Sequence, residues 1–234
     1  MLKILRYLYF PILVLATSII SLPICILRPT SYKNAGFFLK MFSALSKPLG
    51  LTSEIFNKEI LDKSHPSILV GNHQHNLDLW VLSRIFTNKV VSLGKREIVY
   101  IPIFGLVFWL TGNISIKRGS KESTKKSLNN VKRTLQDKKI SVVIFPEGTR
   151  NTSTELLPFK NGAFRMAISL QLPITLFAIS RYAKDVNFNK VHAGHVKMSF
   201  LEPISTVGMT LDDMPQLAID CRNKLEAEIS RLSQ

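Results

Sequence analysis

The chain has 234 residues, enough for one substantial domain with a small appendage, and 46% of them are apolar against 20% charged, which excludes a disordered polyelectrolyte. Its 31 basic and 16 acidic residues give a net charge of +15, so anionic partners such as lipid, nucleic acid or phosphorylated ligands are favoured. Two cysteines, Cys25 and Cys221, cannot form a disulfide scaffold or a C-x-x-C zinc site, and they indicate a reducing compartment.

The first 53 residues differ from the rest because they contain six basic residues and no acidic one. Within them, residues 7–27 form an uncharged run of 21 residues, long enough to cross roughly 30 Å of hydrocarbon as a helix. A signal peptide would be shorter and would have a small-residue cleavage site. Pro11 and Pro23 interrupt a simple spanning helix, and basic residues on both sides give no orientation. A third interpretation is a helix that enters one leaflet and returns.

The next segment, residues 35–49, supports the single-leaflet interpretation. Lysines lie near a helical face whose apolar members are Phe37, Phe38, Met41, Phe42 and Leu45. A basic amphipathic helix of this kind lies at an interface with anionic lipid, whereas the alternative is an ordinary core helix. We therefore expect residues 1–50 to be a membrane-associated helical segment and residues 51–234 to be a separate domain.

From about residue 54 the sequence alternates between strands and helices. Strands are predicted at residues 67–70, 90–93, 114–116, 141–145, 174–178 and 194–201. Helices are predicted at residues 77–86 (with Asn76 as N-cap), 103–110, 120–138 and 162–171, and a closing helix has an apolar stripe from Met214 to Leu232. This alternation predicts the α/β class, with a mixed, largely parallel central sheet flanked by helices.

The loop after the first strand contains His73 and Asp78. On a continuous helix the two would lie about 140° apart, so they can pair only if the chain turns at Asn76. The aspartate would then orient one imidazole nitrogen while the other acts as a general base. The alternative is a loop histidine bonded to a neighbour. A metal site at His73, His75 and Asp78 lacks the further ligand motif such sites need, so we expect neither a metal nor another cofactor.

Two arginines are candidates for binding phosphate. Arg118 shares a strand face with Ile114 and Ile116, which directs its guanidinium off the end of an apolar surface. Arg150 lies in the loop after the strand at residues 141–145. A pair of such arginines could grip a phosphate bidentately, although either one alone is more typical of a solvated surface residue.

Together these segments resemble the glycerolipid acyltransferase family. The first motif matches residues 72–78 (Asn-His-Gln…Asp), and the others match residues 112–118, 145–150 and 172–174, with Lys95, Glu97, Pro102, Gly105 and residues 159–164 at the family's spacing. Motif order and chain length point to the 1-acyl-sn-glycerol-3-phosphate acyltransferase branch, over roughly residues 1–205. His75 and Asn151 depart from the residues common in the family.

The resemblance implies a glycerolipid acyltransferase-like fold and transfer of a fatty acyl group to the sn-2 hydroxyl of lysophosphatidic acid, forming phosphatidic acid in phospholipid biosynthesis. The donor would be an acyl-CoA or acyl carrier protein thioester. The resemblance makes His73 the general base and Asp78 its orienting partner. It assigns substrate binding to Lys95, Arg118, Glu147, Gly148, Thr149 and Arg150. A covalent acyl-enzyme is disfavoured because there is no G-x-S-x-G elbow.

Two alternatives stay open on the sequence. Within enzymes, the acceptor could be another lysolipid or glycerol 3-phosphate. From a different class, a basic membrane or nucleic-acid binding module would bind polyanions in a salt-dependent way, but that function gives no role to His73 and Asp78, and we expect no nucleic-acid partner. We expect membrane lipid as a partner and, in a bacterium, location at the inner membrane with the active site facing the cytoplasm.

Overall fold

The computed structural model describes residues 1–85, 89–116, 131, 135 and 137–234, without the side chains of residues 95, 96, 115 and 116. The chain forms two compact units, each made of segments distant in sequence. Unit 1 comprises Met1–Leu51, Leu79–Lys138 and Asn187–Gly194. Unit 2 comprises Thr52–Asp78, Lys139–Val186 and His195–Gln234.

Unit 2 is built on a sheet in the strand order β1-β7-β6-β2-β5. Its strands are β1 (Leu51–Phe56), β2 (Ile68–Gly71), β5 (Ser141–Ile144), β6 (Ile174–Ile179) and β7 (Gly194–Phe200). β2 pairs in parallel with β5 and β6, and β6 pairs antiparallel with β7. Every residue of β2, β5 and β6 is buried, as expected for strands covered on both faces. The predicted mixed, largely parallel sheet is confirmed.

Helices cover this sheet. α6 (Gly162–Leu170) packs on β2, and α7 (Met214–Leu232) packs on α6 and β6. The predicted stripe of α7 is buried throughout: Met214, Leu217, Ala218, Cys221, Leu225, Ile229 and Leu232. The short helix α3 (Lys58–Lys63) also belongs to this unit. The first residue of α4 (Asp78–Ile85) belongs to unit 2, and the rest of that helix belongs to unit 1.

Unit 1 combines helices with a strand pair. Its described helices include α1 (Leu2–Leu27), α2 (Tyr32–Leu45), α5 (Phe104–Leu110) and all of α4 after Asp78, and the parallel strands are β3 (Val90–Lys95) and β4 (Ile114–Ile116). 3-10 turns occupy Lys47–Leu49 and Arg96–Tyr100. α1 packs against both α2 and α5. It is one helix in spite of Pro11 and Pro23, and it is long and apolar enough to cross a membrane.

Arg6 fixes the start of α1 within unit 1. Its buried guanidinium donates to the carbonyl oxygens of Pro48, Phe188, Lys190 and Val191, at 2.5–3.2 Å. Four backbone acceptors satisfy a charged group that would be costly to bury alone. The N-terminal helix is therefore tied to the loop at residues 187–194.

Two local predictions are wrong. α4 begins at Asp78, so Asn76 lies in the preceding turn and is not its N-cap. The apolar face of α2 does not face lipid as a whole: Phe38 and Phe42 are buried, and their rings contact Phe104 and Phe10. α2 is thus a core helix of unit 1. Most of the helix predicted at residues 120–138 lies outside the described residues, although residues 131, 135, 137 and 138 are helical.

Candidate active site

Three loops meet at one edge of the unit 2 sheet. Because β2, β5 and β6 run parallel, the loops that follow them leave from the same edge, which is where α/β sheets place their ligands. The loop after β2 contains His73, the loop after β5 contains residues 145–161, and a 3-10 turn after β6 contains Tyr182.

Side-chain amides fix the loop that contains His73. The Asn72 amide donates to the Ile179 carbonyl and accepts from the Ile179 N–H, both at 2.9 Å. This reciprocal pair extends the β2–β6 pairing beyond Gly71 and Phe177. The Gln74 side chain donates to the Ser180 carbonyl at 2.8 Å. The loop is therefore joined to β6 on both sides of the histidine.

His73 and Asp78 form the predicted pair. The chain turns at Asn76, with the Asp78 N–H donating to the His75 carbonyl at 3.0 Å, and the His73 Nδ1 is hydrogen-bonded to Asp78 Oδ2. The aspartate side chain is 2% exposed and the histidine side chain 23%. The His73 ring stacks on Phe145 with centroids 4.3 Å apart. With Nδ1 engaged, Nε2 is the ring nitrogen available to a substrate.

The Asp78 carboxylate accepts further hydrogen bonds from a phenol and from the backbone. The Tyr182 hydroxyl donates to Oδ1, and the backbone N–H groups of Gln74 and His75 lie 2.7 and 3.2 Å from Oδ2. Burial, followed by the charge of Asp78, raises the pKa of Tyr182 well above its usual value, so the phenol remains a donor. Burial also lowers the pKa of His75, with Asp78 opposing the shift and Arg150 adding to it. His75 is therefore a neutral neighbour of the pair.

Glu147 joins the loops that follow β2 and β5. Its side chain is buried; Oε1 accepts the His73 N–H at 3.2 Å, and Oε2 accepts the Asn151 side-chain amide at 2.8 Å and the Leu157 N–H at 3.0 Å. The Asn151 N–H donates to the His73 carbonyl at 2.8 Å. The backbone of the histidine is consequently held on both its N–H and its C=O.

The structure describes some of the other predicted substrate residues fully, one by its backbone only and one not at all. Thr149 and Arg150 are exposed, and they follow Gly148, whose φ of +69° is a left-handed conformation that favours glycine. Lys95 is the last residue of β3, and only its backbone is described. Arg118 lies outside the described residues.

The structure adds residues that the sequence did not single out. The Lys160 side chain lies against Gly148, because a Cβ built there would be 2.6 Å from the Lys160 Nζ. Lys160 is thus a cation beside Gly148, two residues before Arg150 in the chain, and its place in the run at residues 159–164 was the available signal. Tyr182 had no such signal, since 104 residues separate it from Asp78.

The family model described as Acyltransferase matches residues 53–180, which is more than half of the chain and includes His73, Asp78 and Arg150. The chain belongs to this acyltransferase family. The resemblance noted in the sequence is confirmed. The match also covers Glu147, whereas Tyr182 lies two residues beyond the end of the matched span.

Relatives of the acyltransferase chain align with almost its full length. The 1-acyl-sn-glycerol-3-phosphate acyltransferase of Escherichia coli (strain K12) is 33% identical over 90% of this chain and 86% of its own. The enzyme of the same name from Haemophilus influenzae is 32% identical over 100% and 98%. The crystal structure of the 1-acyl-sn-glycerophosphate acyltransferase of Thermotoga maritima superimposes with a TM-score of 0.74 at 16% identity, covering 99% and 94% of the two chains, and so shares the fold.

Proposed function

We propose that this acyltransferase transfers a fatty acyl group from an acyl thioester to the sn-2 hydroxyl of 1-acyl-sn-glycerol 3-phosphate, forming phosphatidic acid. The observation that carries the proposal is the His73–Asp78 pair, held by hydrogen bonds at the ligand-binding edge of the sheet. Support comes from the relatives with this activity in their names, which align with nearly the whole chain. The donor is an acyl-CoA or an acyl carrier protein thioester.

The chemistry follows from the two side chains. The acceptor hydroxyl is a weak nucleophile at neutral pH, so His73 Nε2 removes its proton as the oxygen attacks the thioester carbonyl. Asp78 stabilises the imidazolium and keeps Nδ1 as the bonded nitrogen. As the C–S bond breaks, the proton passes from His73 to the departing thiolate. General acid–base assistance of this kind accelerates a reaction by about 10²–10⁴-fold.

The acceptor phosphate requires cations near this pair. Arg150 is exposed in the loop that follows β5. In the same loop the Lys160 side chain approaches Gly148. A guanidinium binds phosphate bidentately and an ammonium binds it as a point charge. We assign both to the phosphate, together with Arg118 and Lys95 on the strength of their motif positions.

Membrane attachment belongs to the same proposal, because both the acceptor and the product are lipids. α1 has the length and hydropathy of a membrane helix, and many of its apolar side chains are exposed, among them Ile4, Leu8, Ile12, Ile19, Ile26 and Leu27. Exposed apolar patches of this extent mark interaction surfaces. In a bacterial cell we expect the enzyme at the inner membrane with its site facing the cytoplasm, where acyl thioesters are made.

Product identification tests the proposal. Detergent-purified protein is incubated with lysophosphatidate, competing lysolipids or glycerol 3-phosphate, each with acyl-CoA and with acyl carrier protein thioesters. We expect phosphatidic acid as the main product from lysophosphatidate and none from the His73→Ala variant. Faster turnover of glycerol 3-phosphate or of another lysolipid would assign a different acceptor, and thioester hydrolysis alone would refute the transferase assignment.

A further inference from the structure

Unit 1 exposes a second apolar segment besides α1, formed by residues 100–109. Tyr100 is 71% exposed and Trp109 is 50% exposed. The other large apolar side chains exposed in this segment are Ile101, Ile103 and Leu106. Leu106 and Trp109 are three residues apart on α5, so they share one face. We name these five side chains the 100–109 patch.

The side chains of the patch do not belong to the hydrophobic core of unit 1. The opposite side of α5 is already packed against the unit, since Val107 and Phe108 are buried. Val107 and Phe108 also line an apolar pocket of about 90 Å³ within unit 1. The helix is therefore apolar on both sides, and its outer side needs a partner that the unit does not supply.

The segment is held in place by its own backbone. The Gly105 N–H donates to the Ile101 carbonyl at 2.7 Å, and a Cβ on Gly105 would lie 2.2 Å from the Val99 carbonyl oxygen. Ile103 has φ +61° and ψ −56°, and the Phe104 N–H donates to the Pro102 carbonyl at 2.6 Å. This is a γ-turn, a strained conformation for a β-branched residue, and strain of this kind concentrates at functional sites.

Charge identifies the partner. The sequence of unit 1 contains 19 basic and 3 acidic residues, a net +16, whereas unit 2 contains 12 basic and 13 acidic residues, a net −1. The whole excess of positive charge therefore belongs to the unit that exposes the patch. Apolar side chains on a strongly basic body match an anionic bilayer surface, where Tyr and Trp are also the favoured interfacial residues.

The segment that contains the patch is linked to α1, the helix proposed above to enter the membrane. The Asn34 side chain donates to the carbonyls of Arg28, just after α1, and Leu110, the last residue of α5, at 2.6 and 3.1 Å. α1 and α5 also pack together. A surface that meets lipid along α1 thus has α5 as its direct neighbour within the same unit.

We propose that the 100–109 patch is a second lipid contact, entering the surface of the same anionic membrane that α1 enters. The inference rests on the membrane attachment in the proposed function and adds a separate point of insertion to it. Two contacts fix the orientation of unit 1 on the bilayer, which one helix alone would leave free to rotate about its axis.

Tryptophan fluorescence tests the insertion, because the chain has two tryptophans and only Trp109 is in the patch. Trp80 is buried at 3% exposure. The Trp80→Phe variant reports on Trp109, and the matched Trp109→Phe variant reports on Trp80. With vesicles of phosphatidylcholine and phosphatidylglycerol that carry brominated acyl chains, we expect strong quenching of Trp109 and little quenching of Trp80. Vesicle-bound protein in which Trp109 is quenched no more than Trp80 would overturn the proposal.

Charge substitutions give a second test that does not depend on Trp80→Phe folding. We expect Leu106→Glu to weaken vesicle binding by roughly tenfold or more, because a charged carboxylate would replace an apolar side chain that inserts into the lipid surface. Ile219→Glu is the matched control, since Ile219 is equally exposed but lies on α7 in unit 2. Binding that is unchanged by Leu106→Glu would contradict the second contact.

Two further measurements separate this inference from the proposed function. Ile12→Glu places a charge on the exposed side of α1; loss of vesicle binding in this variant alone would leave α1 as the anchor and refute the patch. Transferase activity in detergent micelles, where no bilayer is present, should be the same for Leu106→Glu and the unsubstituted protein. Absence of activity in the unsubstituted protein would refute the proposed function instead.

Discussion

Asp78 is the residue on which the hydrogen bonds of the site converge. Its two oxygens accept from the imidazole of His73, the phenol of Tyr182 and two backbone N–H groups. Donors of this kind stabilise the charged carboxylate in a buried position. In the proposed mechanism the carboxylate in turn stabilises the imidazolium that forms when His73 accepts a proton.

Substituting either member of the pair should remove most of the activity. We expect His73→Ala to lower kcat by about 10²–10⁴-fold, the contribution of a general base. Asp78→Asn should also lower it by orders of magnitude, because an amide cannot stabilise the imidazolium. Circular dichroism and vesicle binding check that the variants are folded. Near-normal turnover by either folded variant would contradict the assignment.

Tyr182→Phe tests whether the phenol positions Asp78. A hydrogen bond to a charged group is worth about 1.5–3 kcal/mol, so we expect kcat to fall roughly tenfold or more with little change in the KM of either substrate. Tyr9→Phe is the matched control, because it removes a phenol donor to the Leu45 carbonyl in unit 1. A KM effect without a kcat effect would argue against a positioning role.

Arg150→Ala should weaken acceptor binding selectively. Truncating one partner of a charge pair that becomes buried typically costs about 2–5 kcal/mol, so we expect roughly 30-fold or more in kcat/KM for lysophosphatidate. Arg150→Lys should restore part of it. Arg165→Ala, at another exposed arginine of unit 2, is the control. A weakened thioester saturation curve with an unchanged acceptor curve would instead place Arg150 at the donor.

At the scale of single residues, the sequence predicted the pair but not what surrounds it. The His-x4-Asp spacing needed one structural condition, a turn at Asn76, and the structure has that turn. Asn72 was part of the first motif, but its structural role, like that of Tyr182, could not be predicted, because the partners of both lie more than 100 residues away in the chain. Only the strand pairing of β2 with β6 brings them together.

At the scale of the elements, hydrogen bonds to Glu147 hold the loops after β2 and β5 together. Three donors from two loops share its buried carboxylate, one on Oε1 and two on Oε2. A direct contact with the glycerol of the substrate would have to reach the fourth acceptor position, on Oε1, inside the protein. The geometry favours a role for Glu147 in holding His73 in place.

Glu147→Gln tests this role with almost no change in size. One oxygen becomes an NH2 group facing donors, and an unsatisfied buried donor costs about 1–3 kcal/mol. We expect a lower free energy of unfolding and a lower kcat, with the KM for lysophosphatidate unchanged. Glu155→Gln, at an exposed glutamate of the same loop, should change neither. A raised KM with normal stability would instead favour direct substrate contact.

Elements with strong periodicity were predictable, and weakly patterned ones were not. The buried strands and α7 occur within two residues of their predicted ends, because continuous apolar runs and a long amphipathic stripe allow few alternatives. β1 and α3 were missed: β1 has half-buried and exposed positions but no buried one, and α3 has only six residues. The stripe on α2 was recognised, but periodicity does not say whether lipid or protein covers it.

At the scale of the whole molecule, composition gives a net charge but not its location. The segments that form unit 1 are separated by long stretches of unit 2 in the sequence. Folding brings their basic residues together in unit 1. The acidic residues that balance the positive charge of unit 2 lie mainly beyond residue 139. The sequence alone showed only the part of this asymmetry contained in residues 1–53.

Stability should decrease in alkaline solution because of a thiol in the core. Burial, the largest cause, raises the pKa of Cys221 from 9.0 to about 12, with Lys224 lowering it and Asp220 raising it. Between these values the unfolded chain loses a proton that the native state keeps, so the stability present below pH 9 falls as the pH rises, by up to about 1.4 kcal/mol per pH unit. Denaturant unfolding of Cys221→Ala should show a shallower decline over this range. Equal slopes would contradict the prediction.

The firm hold on His73 has a consequence for what the enzyme must keep out. Its backbone, ring and Nδ1 are all fixed before any substrate arrives, so no part of the acceptor is needed to bring the base into working order. A base that is always ready activates water as well as a lipid hydroxyl, and 23% of the His73 side chain is open to solvent. Protection of the thioester from hydrolysis therefore falls to the acceptor itself, which must cover Nε2 and displace water as it binds.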